Sequence, residues 1–251
     1  MKVLITGASS GIGREMARQL HRMGHELFLA ARSTERLNAL KAELDGKPAV
    51  ITADLSRAEC CTALYERLKS ENIDILINNA GFGLFGFFDE TDLDRELEML
   101  DLNVRAVHIL TKLFLHDFEK RNSGYVLNVA SSAAFLPGPL MSVYYATKAY
   151  VLHLSAAISE ELRRKGSRVY VGALCPGPVD TNFNRTAGVT FNLRSLTAER
   201  VAKYGISQML RGKTVIIPGL TIKLGVFFER FLPMKTVAKI SYNIQKSKDG
   251  K

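Results

Sequence analysis

Two tyrosines and a lysine lie close together in the segment Tyr144-Tyr145-Ala146-Thr147-Lys148. A tyrosine with a pKa of about 10 exchanges protons poorly at neutral pH, but a neighbouring cation lowers that pKa by favouring the phenolate. Because residues three and four apart share one face of a helix, Lys148 can interact with either tyrosine. The pattern predicts proton transfer to an alkoxide, but the spacing is common and does not choose between Tyr144 and Tyr145.

A second candidate for chemistry is the serine pair that follows an apolar run in Asn128-Val129-Ala130-Ser131-Ser132. A hydroxyl at Ser131, or by the same argument at Ser132, can donate a hydrogen bond to a carbonyl oxygen on which charge develops. No histidine and aspartate accompany the serines at a spacing typical of a hydrolase triad. The histidines show no metal-ligand spacing either, so we expect no metal site.

A glycine-rich segment, Thr6-Gly7-Ala8-Ser9-Ser10-Gly11-Ile12-Gly13, follows the first apolar run and precedes a helical pattern. Glycines permit a tight turn and a close backbone approach to phosphate oxygens, and the free N–H groups of a helix N-terminus attract a pyrophosphate. The spacing is G-x-x-x-G-x-G rather than G-x-G-x-x-G. We therefore expect residues Gly7, Ser9, Ser10, Gly11, Ile12 and Gly13 to bind a dinucleotide.

The end of the second predicted strand, Ala30-Ala31-Arg32-Ser33, contains no carboxylate that would bind ribose hydroxyls and select NAD. Arg32 suits the additional 2′-phosphate of NADP(H), and Ser33 and Ser9 add hydroxyl donors. The alternative is that Arg32 is an ordinary exposed charge and Ser33 only a helix cap. The pattern favours NADP(H).

Short β-rich runs alternate with longer helical ones along the chain, which predicts a parallel sheet covered on both faces. We expect a doubly wound, seven-stranded α/β fold of Rossmann type in a single domain, residues 1–218, followed by a C-terminal helical extension and basic tail, residues 219–251. The predicted strands are residues 3–6, 26–30, 49–53, 73–78, 125–130, 169–175 and 214–217. The predicted helices are 12–23, 34–44, 57–70 (with a capping box of Ser56 and Glu59), 92–120, 143–165 and 198–210.

Composition limits the possible classes of protein. With 47% hydrophobic residues the chain can bury a sizeable core, and it shows neither a secretory signal nor an apolar run of membrane-spanning length. The three cysteines, Cys60, Cys61 and Cys175, are expected to be buried thiols in a reducing compartment, the cytoplasm.

The net charge of +9 is concentrated near the C-terminus, where seven Lys/Arg and two Asp/Glu follow from Gly219 onward, a net +5. We interpret this basic tail first as a solvated surface and expect no nucleic-acid partner. Six residues (Leu220, Leu224, Phe227, Phe228, Phe231 and Leu232) are predicted to form one apolar helix stripe. The extension is expected to cover the substrate cleft, to replace a subunit contact or to rest on a membrane surface.

These motifs, in this order, make residues 1–218 similar to the short-chain dehydrogenase/reductase family. The resemblance rests on the glycine turn, Asp54-Leu55, Asn78-Asn79-Ala80-Gly81, Asn103, Ser131, Tyr144 with Lys148, and Pro176-Gly177 with Val179 and Thr181. It implies that Asp54 and Leu55 hold the adenine, that Asn79, Ala80 and Gly81 line the cofactor cleft, and that Pro176, Gly177, Val179 and Thr181 contact the nicotinamide.

The resemblance also implies a catalytic set of Asn103, Ser131, Tyr144 and Lys148, with Tyr144 as proton donor and Tyr145 as a packing or subunit-contact residue. Lys148 would bond the nicotinamide ribose, and Asn103 would bend its helix and hold a water connected to the lysine. Assembly through the helix of Tyr144 and the long helix before it implies a homodimer or homotetramer. The expected activity is an NADP(H)-dependent interconversion of a carbonyl and an alcohol.

Three apolar segments, residues 82–88, 135–141 and 183–196, are expected around the nicotinamide. They favour an apolar substrate, unless these side chains only pack on one another. The segment 181–196 is a candidate lid. Two other functions stay open: a non-catalytic NADP(H)-binding redox sensor, which the presence of all four catalytic residues disfavours, and a membrane-docked interaction protein, which rests only on the C-terminal extension.

Overall fold

A computed structural model describes residues 1–180 and 196–246. Its strands are β1 (Lys2–Thr6), β2 (Glu26–Ala31), β3 (Ala49–Thr52), β4 (Ile75–Asn78), β5 (Tyr125–Val129), β6 (Tyr170–Leu174), β7 (Val179–Asp180), β8 (Leu196–Thr197) and β9 (Val215–Ile216). Seven of them form one parallel sheet in the order β3-β2-β1-β4-β5-β6-β9, and β7 pairs with β8 in a small separate sheet.

Helices connect the strands. They are α1 (Gly11–Arg22), α2 (Thr34–Glu43), α3 (Ala58–Leu68), α4 (Leu93–Leu100), α5 (Ala106–Lys120), α6 (Ser142–Arg164), α7 (Ala198–Leu210), α8 (Leu220–Glu229) and α9 (Met234–Lys246). Short 3-10 turns follow α3 (Lys69–Glu71) and β5 (Ser132–Phe135), and a π-helical turn, Asp101–Arg105, joins α4 to α5.

Successive side chains of the central strands enter two different cores. In β1, Val3 and Ile5 pack with residues of α1 and α7 such as Met16 and Val201. Leu4, between them, belongs to a second core on the opposite face, which includes Phe118 of α5. A strand buried on both faces needs continuous apolar sequence, which is the pattern of these runs. The predicted doubly wound parallel sheet is confirmed.

The site is positioned by the point at which the strand order reverses. The chain moves outward from β1 through β2 to β3, then returns to β4 on the other side of β1. Leu4 therefore has Phe28 and Leu76 as its two Cα partners. Connections that leave β1 and β4 in opposite directions open a crevice at the carboxyl ends of these strands, where doubly wound sheets bind ligands.

The predicted element bounds differ from the observed ones by no more than two residues, but two local predictions were wrong. The capping box of Ser56 and Glu59 is not formed, because α3 begins after Arg57 and the Ser56 hydroxyl donates instead to Asp54 Oδ1 at 2.8 Å. The predicted helix 92–120 is interrupted by the π-helical turn around Asn103. A π-turn inserts one residue into a helix, and such turns occur frequently at functional sites.

The C-terminal extension also differs from expectation. Its predicted single apolar stripe is divided, since α8 ends at Glu229 and Phe231 and Leu232 lie in the turn before α9. All six stripe residues are exposed to solvent.

Of the three thiols, Cys61 and Cys175 are buried but Cys60 is half-buried, which corrects the expectation for that residue. Among residues 1–180 and 196–246, no helix has both the length and the apolarity that a bilayer crossing requires.

Candidate active site

A cleft of about 390 Å³ opens at the carboxyl ends of the central strands. It brings together most of the residues selected from the sequence. These are Gly7, Ser9, Ser10, Gly11, Ile12, Arg32, Ser33, Leu55, Asn79, Ala80, Gly81, Ser131, Tyr144, Lys148, Pro176, Gly177 and Val179.

Three other selected residues do not line the cleft. Asp54 accepts hydrogen bonds from the backbone and hydroxyl of Ser56, so only its neighbour Leu55 faces the opening. Gly13 is a packing position, because a Cβ there would lie 2.5 Å from the carbonyl oxygen of Gly7. Asn103 is fully buried beneath the site. Thr181 and all but the last residue of the candidate lid, residues 181–196, lie outside the described residues.

The glycine turn has the conformation that its sequence requires. Gly7 and Gly11 have φ angles of 63° and 54°, a left-handed region that favours glycine. Ser10 is the N-cap of α1, yet its side chain makes no capping hydrogen bond. Gly11 and Ile12, at the start of α1, line the cleft, and the N-cap side chain accepts none of their N–H groups. This arrangement fits a bound pyrophosphate.

The glycine turn is tied to the loop after β4 by reciprocal hydrogen bonds. Thr6 Oγ1 accepts from the backbone N–H groups of Asn79 (3.0 Å) and Ala80 (3.1 Å). The amide of Asn79 donates in return to the carbonyl oxygens of Thr6 (3.0 Å) and Gly7 (3.1 Å). Asn79 therefore fixes the width of the crevice from beneath. This contact leaves the upper edge of both loops available to a ligand.

Two arginines border the far end of the cleft, beyond β2. Arg32 forms an ion pair with Glu98 of α4 at 2.8 Å, and its side chain is half-exposed. Ser33 is the N-cap of α2 and accepts from the backbone N–H of Arg36 at 3.3 Å. Arg36, which sequence analysis missed, lines the cleft as well. Its position four residues after Arg32, at the start of α2, was the sequence feature that could have indicated it.

The serine, tyrosine and lysine come together at the inner end of the cleft. Ser131 hydrogen-bonds to Tyr144, and its Oγ also accepts from the backbone N–H of Ala133 at 3.1 Å. Lys148 Nζ donates to the carbonyl oxygen of Val129 at 2.9 Å and lies 5.8 Å from the centroid of the Tyr144 ring. The geometry thus favours Ser131 over Ser132, and Tyr144 over Tyr145, as members of one cluster.

Burial governs the protonation of this cluster. Burial raises the pKa of Tyr144 well above its usual range, and the Ser131 hydrogen bond only partly opposes that shift. Burial lowers the pKa of Lys148 to about 8. We expected the lysine to lower the tyrosine pKa, but desolvation is the largest effect on both groups, and it disfavours the charged form of each. Burial therefore favours the neutral, protonated phenol of Tyr144.

Asn103 supports the cluster from the π-helical turn. Its amide donates to the Phe82 carbonyl at 2.8 Å and to Thr147 at 3.1 Å, and its Oδ1 accepts from the Phe82 N–H at 3.1 Å. A Cβ on Gly81 would lie 2.8 Å from Asn103 Oδ1 and 3.4 Å from Lys148 Nζ. Glycine at position 81 therefore lets these two side chains approach the same loop.

The wall beside Tyr144 contains two further residues whose role sequence analysis did not predict. Tyr145 was expected to be a packing or subunit-contact residue; it does pack against the core, and it also lines the cleft, where its hydroxyl accepts a hydrogen bond from Gln245 of α9. Gln245 is 1% exposed and lines the same cleft. Only folding could reveal this contact, since 100 residues separate the partners.

Lys148 gives a testable pH dependence of stability. Its pKa is about 8 in the folded protein and 10.5 in its ordinary state, so between these values the unfolded chain binds more protons and stability rises with pH. The shift corresponds to about 3 kcal/mol. We expect cofactor-free wild type to gain up to about that free energy of unfolding relative to Lys148→Met between pH 8 and pH 10.5, measured by urea denaturation.

Below that window the difference between the two proteins is expected to be constant. The matched control is Lys165→Met, which replaces an exposed lysine at the end of the same helix. It should show no such trend. A Lys148→Met difference that stays flat from pH 8 to pH 10.5 would contradict a desolvated ammonium at this position.

The described residues contain no cluster of three or more His, Cys, Asp or Glu side chains that could hold a metal ion.

The family model for short chain dehydrogenases matches residues 1–190. Mouse 17-beta-hydroxysteroid dehydrogenase type 3 is 32% identical over 216 residues, which cover 83% of this chain and 69% of that protein.

Two solved structures show the same fold with a nicotinamide cofactor. A short-chain dehydrogenase from Sphingobium yanoikuyae in complex with NADPH is 34% identical, with a TM-score of 0.82 over 92% of this chain and 93% of that one. A short-chain dehydrogenase/reductase from Burkholderia phymatum in complex with NAD is 25% identical, with a TM-score of 0.83 over 92% of each chain. From its sheet, its cleft and these matches, the chain belongs to the short-chain dehydrogenase/reductase family and is an oxidoreductase of the NAD(P)(H)-binding type.

Proposed function

We propose that this protein is an NADP(H)-dependent oxidoreductase that interconverts a carbonyl and an alcohol on an apolar substrate. The observation that carries the proposal is the cluster of Ser131, Tyr144 and Lys148 at the inner end of the cleft. The neutral hydroxyls of Ser131 and Tyr144, beside the buried ammonium of Lys148, are suited to protonating an alkoxide. The cofactor, when bound, supplies or accepts the hydride.

In the reducing direction, Ser131 donates a hydrogen bond to the substrate carbonyl oxygen and stabilises its growing negative charge. Tyr144 then transfers its phenolic proton to that oxygen, and the product leaves as an alcohol. The phenolate that remains is stabilised by the nearby Lys148, whose charge is held in a site of low polarity. Oxidation reverses each proton transfer.

Asn103 acts in this proposal as a positioning residue. Its amide holds Phe82 and Thr147, and Thr147 in turn donates to the Tyr144 carbonyl oxygen. The loop after β4 and the helix of Tyr144 are therefore fixed relative to each other. This rigidity supports the close geometry that proton transfer requires.

The preference for NADP(H) is supported by charge at the end of β2. Arg32 and Arg36 line the cleft there, and the side chain that closes β2 is Ala31 rather than a carboxylate. Glu98 pairs with Arg32 and holds it at the rim. A phosphate that displaces this carboxylate gains two guanidinium partners, whereas an unphosphorylated ribose gains none.

The apolar substrate is supported by the inner wall of the cleft. Phe82, Ala133, Met141 and Pro178 line it beside Tyr144. Mouse 17-beta-hydroxysteroid dehydrogenase type 3, whose name denotes a steroid substrate, is a relative of comparable sequence. We therefore propose a bulky apolar ketone or the corresponding secondary alcohol.

We also propose a homo-oligomer that assembles through α4, α5 and α6. Leu93 and Leu97 of α4 and Tyr150 of α6 are exposed on these helices. Exposed apolar groups on neighbouring helices are typical of an interface between subunits.

The first test is Tyr144→Phe, which removes only the proton donor. We expect turnover of a bulky ketone to fall about 10²- to 10⁴-fold, while NADPH affinity changes little. NADPH oxidation followed by absorbance gives the rate, and fluorescence titration gives the affinity. The matched control is Tyr150→Phe on the same helix, which should keep its rate. A larger loss of turnover in Tyr145→Phe than in Tyr144→Phe would assign the proton donor to Tyr145 and contradict the proposal.

The second test is Arg32→Ala, alone and with Arg36→Ala. Losing a charged hydrogen bond costs about 1.5–3 kcal/mol, so we expect NADPH affinity to fall roughly tenfold or more per arginine. NADH affinity should stay within about twofold, because its ribose carries no such charge. Arg57→Ala is the control, since Arg57 forms a comparable surface ion pair with Glu59 away from the cleft. Equal losses for the two cofactors would contradict the assignment.

The third test is Gln245→Ala, which removes the contact with Tyr145 at the substrate end of the cleft. We expect KM for a bulky aromatic ketone to rise about three- to tenfold, and NADPH affinity to stay constant, because the altered wall faces the substrate. Asn243→Ala, an exposed change on the same helix, is the control. Identical KM values for the two variants would rule out the proposed wall.

A further inference from the structure

The C-terminal extension has an outer face that is apolar and open to solvent. We define this outer face by Leu220, Leu224, Phe227, Phe228, Phe231 and Met234, which are between 47% and 76% exposed. The rings of Phe228 and Phe231 each contact that of Phe227, with centroids 5.4 and 5.5 Å apart. The three phenylalanines form one continuous patch on the surface. Such a patch usually marks a binding surface.

The opposite side of the extension is already used for packing. Val226 is buried, and Ile222 lies so close to Gly177 that a Cβ there would stand 2.8 Å from the isoleucine. In α9, Ser241 and Gln245 are buried against Tyr145. Because this inner side is held against the cleft, the outer face cannot turn inward to hide its rings.

The charged residues of the extension, within residues 219–246, are almost all positive. The extension contributes five exposed cations, Lys223, Arg230, Lys235, Lys239 and Lys246. Its single carboxylate in the described residues, Glu229, is half-buried, and burial raises its pKa to about 7. The exposed apolar residues of α4 have a different setting, since charges of both signs, Asp92, Asp94 and Arg95, lie among them. The outer face therefore combines apolar area with one sign of charge.

We propose that the outer face docks on an anionic lipid bilayer, with α8 and α9 lying in the plane of the interface. Phenylalanine and leucine side chains enter the boundary between headgroups and acyl chains, and lysines beside them pair with anionic headgroups. At ten and thirteen residues, α8 and α9 are too short to span a bilayer. Docking is therefore peripheral.

A second copy of this chain fits the outer face less well. A two-fold contact buries the same patch of both subunits in one interface, so the cations of the two copies would be brought into the same contact region. Like charges at an interface oppose association, whereas an anionic surface is attracted. The docking does not depend on the reaction proposed for the cleft, and its test uses no turnover.

The test exploits the fact that the chain contains no tryptophan. Phe231→Trp places one fluorophore on the outer face, and Phe88→Trp places one on an exposed site elsewhere, 67% exposed. Each full-length variant is titrated with vesicles of phosphatidylcholine alone and with vesicles in which about a third of the lipid is phosphatidylglycerol. We expect a blue shift only for Phe231→Trp, only with anionic vesicles, and weaker in high salt.

Vesicle sedimentation of variants without tryptophan gives an independent measurement. We expect Phe228→Ser with Phe231→Ser, and separately Lys235→Glu with Lys239→Glu, to lower binding to anionic vesicles about tenfold or more. The matched control, Phe87→Ser with Phe88→Ser, removes two exposed rings elsewhere and should bind like the wild type. Circular dichroism confirms that each variant is folded.

Several outcomes would overturn the proposal. One is no binding of the wild type to anionic vesicles. Others are equal, salt-independent binding to neutral vesicles and an equal loss in the control variant. A fourth is a dimer, detected by light scattering, that the Phe228→Ser with Phe231→Ser variant converts to a monomer without any vesicle binding, which would assign the outer face to a second copy.

Discussion

The contact between Thr6 and Asn79 is the constraint on which the site depends. Four hydrogen bonds of 3.0–3.1 Å join the turn after β1 to the loop after β4. These two strands are adjacent, yet their connections leave in opposite directions. The contact thus holds the two loops together at the bottom of the crevice.

Buried polar groups transmit that rigidity to the chemistry. Asn78 donates to Asn128 at 2.9 Å and to Thr111 at 3.1 Å, and Asn128 donates to Ser155 at 3.0 Å, which ties β4 and β5 to α5 and α6. Asn103 likewise connects the loop after β4 to α6, through its hydrogen bonds to Phe82 and Thr147. Unpaired buried polar groups are costly, so such networks define one arrangement of the elements. They allow the protein to hold the Lys148 ammonium in a site that disfavours its charge.

The extension after residue 218 adds a feature that the sheet does not require. One side of it closes the cleft beside Tyr145 through Gln245, and the other side presents phenylalanines and lysines to the surroundings. The same two helices therefore form part of the substrate wall and, in our proposal, the contact with a bilayer. An apolar substrate dissolved in the membrane would then reach a cleft that opens close to its source.

The sequence by itself determined the sheet, its order of elements and most cleft residues, because a strand buried on both faces and a turn that approaches phosphate each permit few residue types. It also identified Tyr144, Ser131 and Lys148, although spacing alone left Tyr145 and Ser132 open. Only the tertiary structure separates them by their contacts, since the hydrogen bond from Ser131 reaches Tyr144 while Tyr145 meets Gln245. The tertiary structure also places Asn103 in a π-helical turn and leaves Ser56 outside the cap of α3. It buries Tyr144, which raises the pKa of that residue, and it exposes the C-terminal stripe to solvent. These outcomes depend on which distant surfaces meet, and local residue patterns carry no information about such contacts.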